Sequence, residues 1–194
     1  MEKRGLKIYI FRHGETFFNR DRKFTGWLDS ELTKSGIDDA KIIAIRLKDK
    51  KFQVAFQTSL SRAQETLKEV LKFHPECKQV ITDDRMTERN YGKLNGHTHL
   101  EIVKKYGPKQ YDLWHRGFYN RPPGGESFAD IEKRVGSFIK DLIKFMRKEK
   151  VNVAISAHGN SIRLFRKIME KASISEVVSW FIPYDNYYEY TVQV

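Results

Sequence analysis

Two apolar runs in this chain end in a histidine followed by a glycine, and the first carries an arginine just ahead of it. Lys7-Ile8-Tyr9-Ile10-Phe11 leads into Arg12-His13-Gly14, and Val151-Asn152-Val153-Ala154-Ile155-Ser156-Ala157 leads into His158-Gly159-Asn160. The β-branched and aromatic content of both runs predicts buried strands, so the turns that follow lie at strand exits, where open α/β sheets place their ligands. Those residue types suit phosphoryl transfer. A neutral imidazole is a nucleophile near neutral pH and can carry a phosphoryl group as a labile phosphoramidate. Guanidinium forks neutralise the phosphoryl oxygens better than point-like ammonium groups do. His13 is therefore the expected nucleophile, with Arg12 and Arg62 as clamps at two strand exits. His158 is expected to donate to the transferring oxygens, helped by the backbone N–H groups of Gly159 and Asn160. With arginines neutralising the charge, no metal is expected.

The elements that must position these groups follow from periodicity and caps. Thr33 opens a helix with apolar positions at Ile37, Ala40, Ile43, Ala44 and Leu47; Phe52 to Thr58 reads as a strand; and a helix after Arg62 turns Ala63, Thr66, Leu67, Val70 and Leu71 inward. This βαβα opening predicts a three-layer α/β/α fold with a mostly parallel sheet. Residues 14–32 read as a loop. Val80-Ile81 is a short strand, and residues 86–125 interrupt the alternation with aromatics, turn residues and two short helices ending near Tyr106 and Arg116. That segment is expected to be a short lid inserted into a single domain spanning 1–194. Ser127 with Asp130 caps the longest helix, whose stripe runs Phe128, Ile131, Val135, Phe138, Leu142 and Phe145. Ser173 with Glu176 forms another capping box, and Tyr187 to Val194 is an edge strand.

Composition narrows the function classes. The 36 Lys+Arg against 25 Asp+Glu give a net charge of +11. The lysines are spread over helical polar faces, and no nucleic-acid-binding signature accompanies them, so the charge reads as solvated surface with a few arginines reserved for an anionic, phosphorylated small molecule. Neither a nucleic-acid nor a membrane partner is expected, and homodimer formation is left open. No apolar run approaches the roughly 18 residues of a membrane span, and the first residues lead into a strand rather than a signal segment, which predicts a cytoplasmic protein. Cys77 is the sole cysteine, which excludes an intramolecular disulfide. His97 and His99, though arranged as H-x-H, lack a third ligand and are expected on the lid surface, with His74 at an exposed helix end and Trp27 and Trp114 packing beside the site.

Several motifs in order make the chain similar to a known family. Arg12-His13-Gly14-Glu15-Thr16, Asn19, Phe24-Thr25-Gly26-Trp27, Thr58-Ser59-Leu60-Ser61-Arg62-Ala63, Glu88-Arg89-Asn90-Tyr91-Gly92, Trp114-His115-Arg116-Gly117-Phe118 and Ala157-His158-Gly159-Asn160-Ser161 resemble the histidine phosphatase superfamily, and within it the cofactor-dependent phosphoglycerate mutases. The resemblance implies a phosphoglycerate mutase-like fold and a phosphohistidine at His13. It makes Glu88 the group that moves the proton, and it makes Asn19, Thr25, Gly26, Arg89, Tyr91 and Arg116 contacts to substrate. It further implies interconversion of 3-phosphoglycerate and 2-phosphoglycerate in glycolysis and gluconeogenesis. No cofactor would be permanently bound, and 2,3-bisphosphoglycerate would serve as the phosphoryl primer.

Other features pull toward the alternative within the same resemblance, a phosphatase acting on small phosphomonoesters. The mutase pattern has two consecutive arginines where His115-Arg116 stands and a lysine near His99, so the cationic grip on a glycerate is reduced. Pro122-Pro123-Gly124-Gly125-Glu126-Ser127-Phe128 replaces a longer mutase segment, and the sequence ends shortly after the last strand. The expectation is a mutase whose phosphohistidine is imperfectly shielded from water.

Overall fold

The computed structural model describes residues 5–193. Strand β1 (Gly5–Arg12) is followed by the single-turn helix α1 (Phe17–Arg20), α2 (Lys34–Leu47), β2 (Val54–Gln57), α3 (Ser61–Leu71) and β3 (Gln79–Thr82). Between β3 and the long α6 (Phe128–Glu149) lie two 3-10 turns and the helices α4 (His99–Tyr106) and α5 (Pro108–Arg116). The chain closes with β4 (Val153–Ala157), α7 (Gly159–Glu170), α8 (Ile174–Ser179) and β5 (Tyr187–Gln193). The sheet order is β3-β2-β4-β1-β5, parallel throughout except for β5, which runs antiparallel along β1. No helix among the described residues is long and apolar enough to cross a membrane.

The alternation of β1 divides the core. Ile8 and Ile10 pack with α6 and α7 on one face, while Tyr9 and Phe11 pack with Ile43, Leu47, Leu67 and Val70 of α2 and α3 on the other. The result is the three-layer α/β/α architecture. Both capping boxes form, Ser127 with Asp130 opening α6 and Ser173 with Glu176 opening α8. The stripe on α6 is shifted slightly from the sequence pattern: Ile139 and Met146 are fully drawn into the core, and Phe145 is only half-buried.

What the topology does for function lies at the centre of the sheet. The chain leaves β1, passes over the position that β4 will fill and returns through β2, so the C-terminal ends of β1 and β4 are neighbours, with Arg12 opposite Ala157. His13 N–H donates to the Ala157 carbonyl at 3.0 Å, which locks the two His-Gly turns side by side. Gly14 is required by packing: a Cβ there would lie 2.0 Å from the Gly36 carbonyl oxygen, because the first turn of α2 presses directly on this turn.

Three expectations are corrected. Residues 14–32 are not all loop, since Thr16 caps α1 by accepting from Asn19 N–H. His74 is not an exposed helix end. It is 1% exposed, its ring lies over Phe52 with centroids 4.1 Å apart, and Nδ1 donates to Glu76 at 3.1 Å; the turn before Pro75 folds back over the entry to β2, which local sequence does not announce. His99 is half-buried rather than on the surface, with its ring 4.2 Å from that of Phe24, whereas His97 is exposed.

Candidate active site

The two histidines meet as neighbours. Their ring centroids are 5.0 Å apart, and His13 and His158 are 2% and 0% exposed. His13 Nδ1 lies 2.7 Å from the Gly14 carbonyl oxygen. A carbonyl can only accept, so Nδ1 carries the hydrogen and Nε2 keeps its lone pair. Burial, together with the charges of Arg62 and Arg12, holds the His13 pKa well below its usual value. His158 is lowered in the same way by burial, Arg62, His13 and Arg12. Both rings are therefore neutral near pH 7.

Donors without protein partners surround this pair. Arg12 Nε, Arg62 Nε and His158 Nδ1 are buried and make no hydrogen bond within the protein, although most buried polar atoms in a folded chain do. Other nitrogens of the same side chains are held by the protein. Arg12 donates through Nη1 to the Ile182 carbonyl at 2.9 Å and lies 3.9 Å from the centre of the Tyr184 ring. Arg62 donates to the Leu28 and Gly26 carbonyls, each at 2.9 Å. The Thr58 hydroxyl lies 2.8 Å from His158 Nε2, and when it donates there, Nδ1–H becomes the free donor. Three fixed N–H groups beside a neutral imidazole match the oxygens of a phosphoryl group.

The cavity next to these groups has a volume of about 250 Å³, a size for a small metabolite, and Arg12, Asn19, Thr25, Gly26, Glu88, Tyr91, Gly159 and Asn160 line it. His13, Arg62 and His158 stand behind this lining, each adjoining or bonded to one of its residues. Glu88 is 7% exposed, and its Oε1 accepts from Arg89 N–H at 2.6 Å and Asn160 N–H at 3.2 Å. Asn160 also donates through Nδ2 to the Tyr91 hydroxyl at 3.0 Å.

Two of the expected substrate contacts sit elsewhere. Arg89 is fully buried, and its guanidinium donates to the Glu126, His115 and Asn120 carbonyls, so it braces the segment before α6 rather than lining the cavity. Arg116 is exposed and donates to the Val178 carbonyl at 3.3 Å. His115 and His99 take the inner wall instead. Burial and Arg116 push the His115 pKa down to about 3, and His99 is lowered by the same causes, so this wall is uncharged.

Residues 8–192 match the family model for the histidine phosphatase superfamily, branch 1. The chain belongs to the histidine phosphatase superfamily. Among its relatives is a 2,3-bisphosphoglycerate-dependent phosphoglycerate mutase of Cytophaga hutchinsonii, 37% identical over 170 residues that cover 88% of this chain and 80% of the relative. Among solved structures, Bacillus stearothermophilus YhfR superposes with a TM-score of 0.84 at 27% identity, covering 95% of this chain and 90% of the other. A mycobacterial glucosyl-3-phosphoglycerate phosphatase shares the fold with a TM-score of 0.79 at 24% identity, covering 91% and 84%.

Sequence reasoning passed over several groups in this histidine phosphatase site. Arg163, Tyr184, Ile182 and Phe181 line the cavity, the last three from the segment between α8 and β5. Arg163 donates to Asn160 Oδ1 at 2.7 Å and to the Trp180 carbonyl, tying α7 to that segment. On α7 Arg163 stands three residues after Asn160, a spacing that places both on one helix face and was the available signal. Nothing local marks Tyr184. Among the described residues no group of three or more His, Cys, Asp or Glu is gathered as a metal site.

The neutral, buried histidines set a pH dependence of stability. Unfolded histidine binds a proton below about pH 6.5, and the folded protein resists doing so at His13 and His158, so the unfolded state gains protons first as pH falls. Stability is then full above that value and declines below it, at up to ~1.4 kcal/mol per pH unit for each such histidine. Urea unfolding should show a falling midpoint between pH 6.5 and 5, and a His13→Asn variant should show a shallower fall. A flat midpoint across this window would contradict the neutral assignment.

Proposed function

We propose that the chain is a 2,3-bisphosphoglycerate-dependent phosphoglycerate mutase, interconverting 3-phosphoglycerate and 2-phosphoglycerate through a phosphohistidine at His13. The observation that carries this reading is the set of unpartnered buried donors, Arg12 Nε, Arg62 Nε and His158 Nδ1, around a neutral imidazole. The mutase relative at 37% identity supports the choice of substrate.

The chemistry follows from the groups present. His13 Nε2 attacks the phosphorus of the primer, the P–O bond breaks, and Glu88 gives a proton to the departing alkoxide. In the reverse sense a glycerate hydroxyl attacks the phosphohistidine, Glu88 takes its proton, and the P–N bond breaks. The arginines and His158 hold the equatorial oxygens throughout. Asn19, Thr25, Gly26, Tyr91, Gly159 and Asn160 shape the cavity for the three-carbon acid, and Arg163 and Lys23 are the cations available to its carboxylate.

The uncharged wall of His99 and His115 favours hydrolysis as a second outcome, because it weakens the hold on a glycerate that must be kept while water is excluded. Incubation with 3-phosphoglycerate and a trace of 2,3-bisphosphoglycerate should yield 2-phosphoglycerate with measurable free phosphate. His115→Arg should lower the ratio of phosphate to 2-phosphoglycerate, on the order of 10-fold for one added charge-assisted contact. Rapid hydrolysis of many phosphomonoesters with no 2-phosphoglycerate formed would replace the mutase reading with the phosphatase one.

A further inference from the structure

Glu88 has to hold its carboxyl at the leaving oxygen, yet it sits in irregular chain between two 3-10 turns, where no helix or strand fixes it. The support comes from one face of α6. Arg134 Nη1 donates to the Arg85 and Thr87 carbonyls at 2.8 and 2.9 Å, and Nη2 donates to the Glu88 carbonyl at 3.0 Å. Its Nε and Nη2 also pair with both carboxylate oxygens of Glu126, at 2.9 and 3.1 Å. Glu126 Oε2 in turn accepts from Asn90 N–H at 2.9 Å. The ion pair thus grips the backbone before, at and after residue 88. The Trp27 indole N–H, 2.8 Å from the same Glu88 carbonyl, closes the set.

We infer that Arg134, paired with Glu126, is a positioning residue for the proton-transferring Glu88, acting through the backbone of residues 85–90 without touching substrate. The inference rests on the reading of Glu88 as the general acid. One guanidinium spans three carbonyls and a carboxylate through its planar fork, a geometry an ammonium cannot reproduce. The grip matters for rate because general acid catalysis contributes about 10²- to 10⁴-fold and falls when the donor is displaced by around an ångström. Arg134 and Glu126 are 17% and 19% exposed at the side chain and border a cavity of about 620 Å³, so shortening either leaves space that water can enter rather than a dry void.

Leaving-group dependence separates positioning from mere scaffolding. An alkoxide needs a proton to depart, whereas 4-nitrophenolate leaves without one, so loss of the acid should be felt only with the first. Single-turnover phosphorylation of His13 would be followed with 2,3-bisphosphoglycerate, whose leaving group is an alkoxide, and with 4-nitrophenyl phosphate in the intact protein, its Arg134→Gln, Arg134→Lys and Glu126→Gln variants, and Glu88→Gln. The expected result is a drop of about 10- to 100-fold with 2,3-bisphosphoglycerate in Arg134→Gln, less than 3-fold with the aryl ester, and a smaller selective drop in Glu126→Gln. Arg134→Lys should recover little, since it keeps the charge and loses the fork.

Equal losses with both donors, or no loss in Arg134→Gln, would overturn the inference provided Glu88→Gln is itself selective. If Glu88→Gln shows no selectivity, the acid is elsewhere, and the reading of Glu88 falls together with the role given to Arg134. Should Arg134→Gln fail to fold, the milder Glu126→Gln decides by the same comparison.

Discussion

His13→Ala should abolish both phosphoenzyme formation and turnover, a loss on the order of 10⁴-fold or more, because no other nucleophile stands in its place. The neighbouring imidazole, His158, is fully buried and engaged with Thr58, so it is poorly placed to substitute. The expected attack rests on an Nδ1–H tied to the Gly14 carbonyl, which leaves Nε2 its lone pair, and on a charge suppressed by burial beside two arginines. Incubating the protein with 2,3-bisphosphoglycerate labelled in its phosphoryl groups should leave label on the chain that is lost in acid and survives base, as a phosphoramidate does. The His13→Ala protein should carry none. Label that persists in the variant, or that is stable to acid, would remove His13 from the reaction.

The turn that carries His13 was legible because its surroundings are local. A buried-strand pattern, a glycine and a basic neighbour are contiguous in sequence, and the parallel βαβα opening implied that both His-Gly turns emerge at the same end of the sheet. That His13 and His158 are adjacent needed the strand order, with β4 inserted between β1 and β2, and this is decided by packing far from either turn. The capping boxes and the stripe of α6 were legible for the same local reason.

Groups that work through tertiary contacts left little trace. Arg134 reads as an ordinary polar position on an amphipathic helix, and its importance lies in three carbonyls 46 to 49 residues away in sequence. Arg89 and Arg116 were assigned to substrate by motif, but a guanidinium on a motif can turn either way, and here one meets backbone carbonyls inside the fold and the other meets α8. Tyr184 stacks on Arg12 from a segment with no secondary structure at all. The fold and the two His-Gly turns could thus be read from residues near one another in sequence, and the walls of the cavity could not.

The second large effect is expected at Arg62, where one side chain serves structure and chemistry together. Its two terminal nitrogens hold the Gly26 and Leu28 carbonyls, fixing the loop that brings Thr25 and Gly26 to the cavity, while Nε is left for a phosphoryl oxygen. Burial pushes its pKa down to about 10, with Glu88 and Asp29 offsetting part of that fall, so it remains charged at neutral pH. Arg62→Ala should lower the rate of His13 phosphorylation by about 10²- to 10³-fold, the cost of removing one preorganised donor at a developing charge. It should also destabilise the fold, by roughly 1 to 3 kcal/mol for the buried Gly26 carbonyl left without a partner, since water can reach the carbonyl of the exposed Leu28. Arg62→Lys separates the two roles, since an ammonium keeps the charge but cannot reach both carbonyls and the phosphoryl group at once. Its rate should stay at least ~10²-fold down even where denaturation shows most molecules folded. Asp29→Asn is the contrasting change. Asp29 lies 3.7 Å from Arg62 with its own side chain 51% exposed, and an ion pair open to solvent on one side contributes little. The asparagine still accepts from Ser61 N–H, so neither rate nor stability should move by more than about 3-fold or ~1 kcal/mol. A near-native rate in Arg62→Lys would mean that charge alone suffices at this position, and the argument from a directed Nε donor would fail.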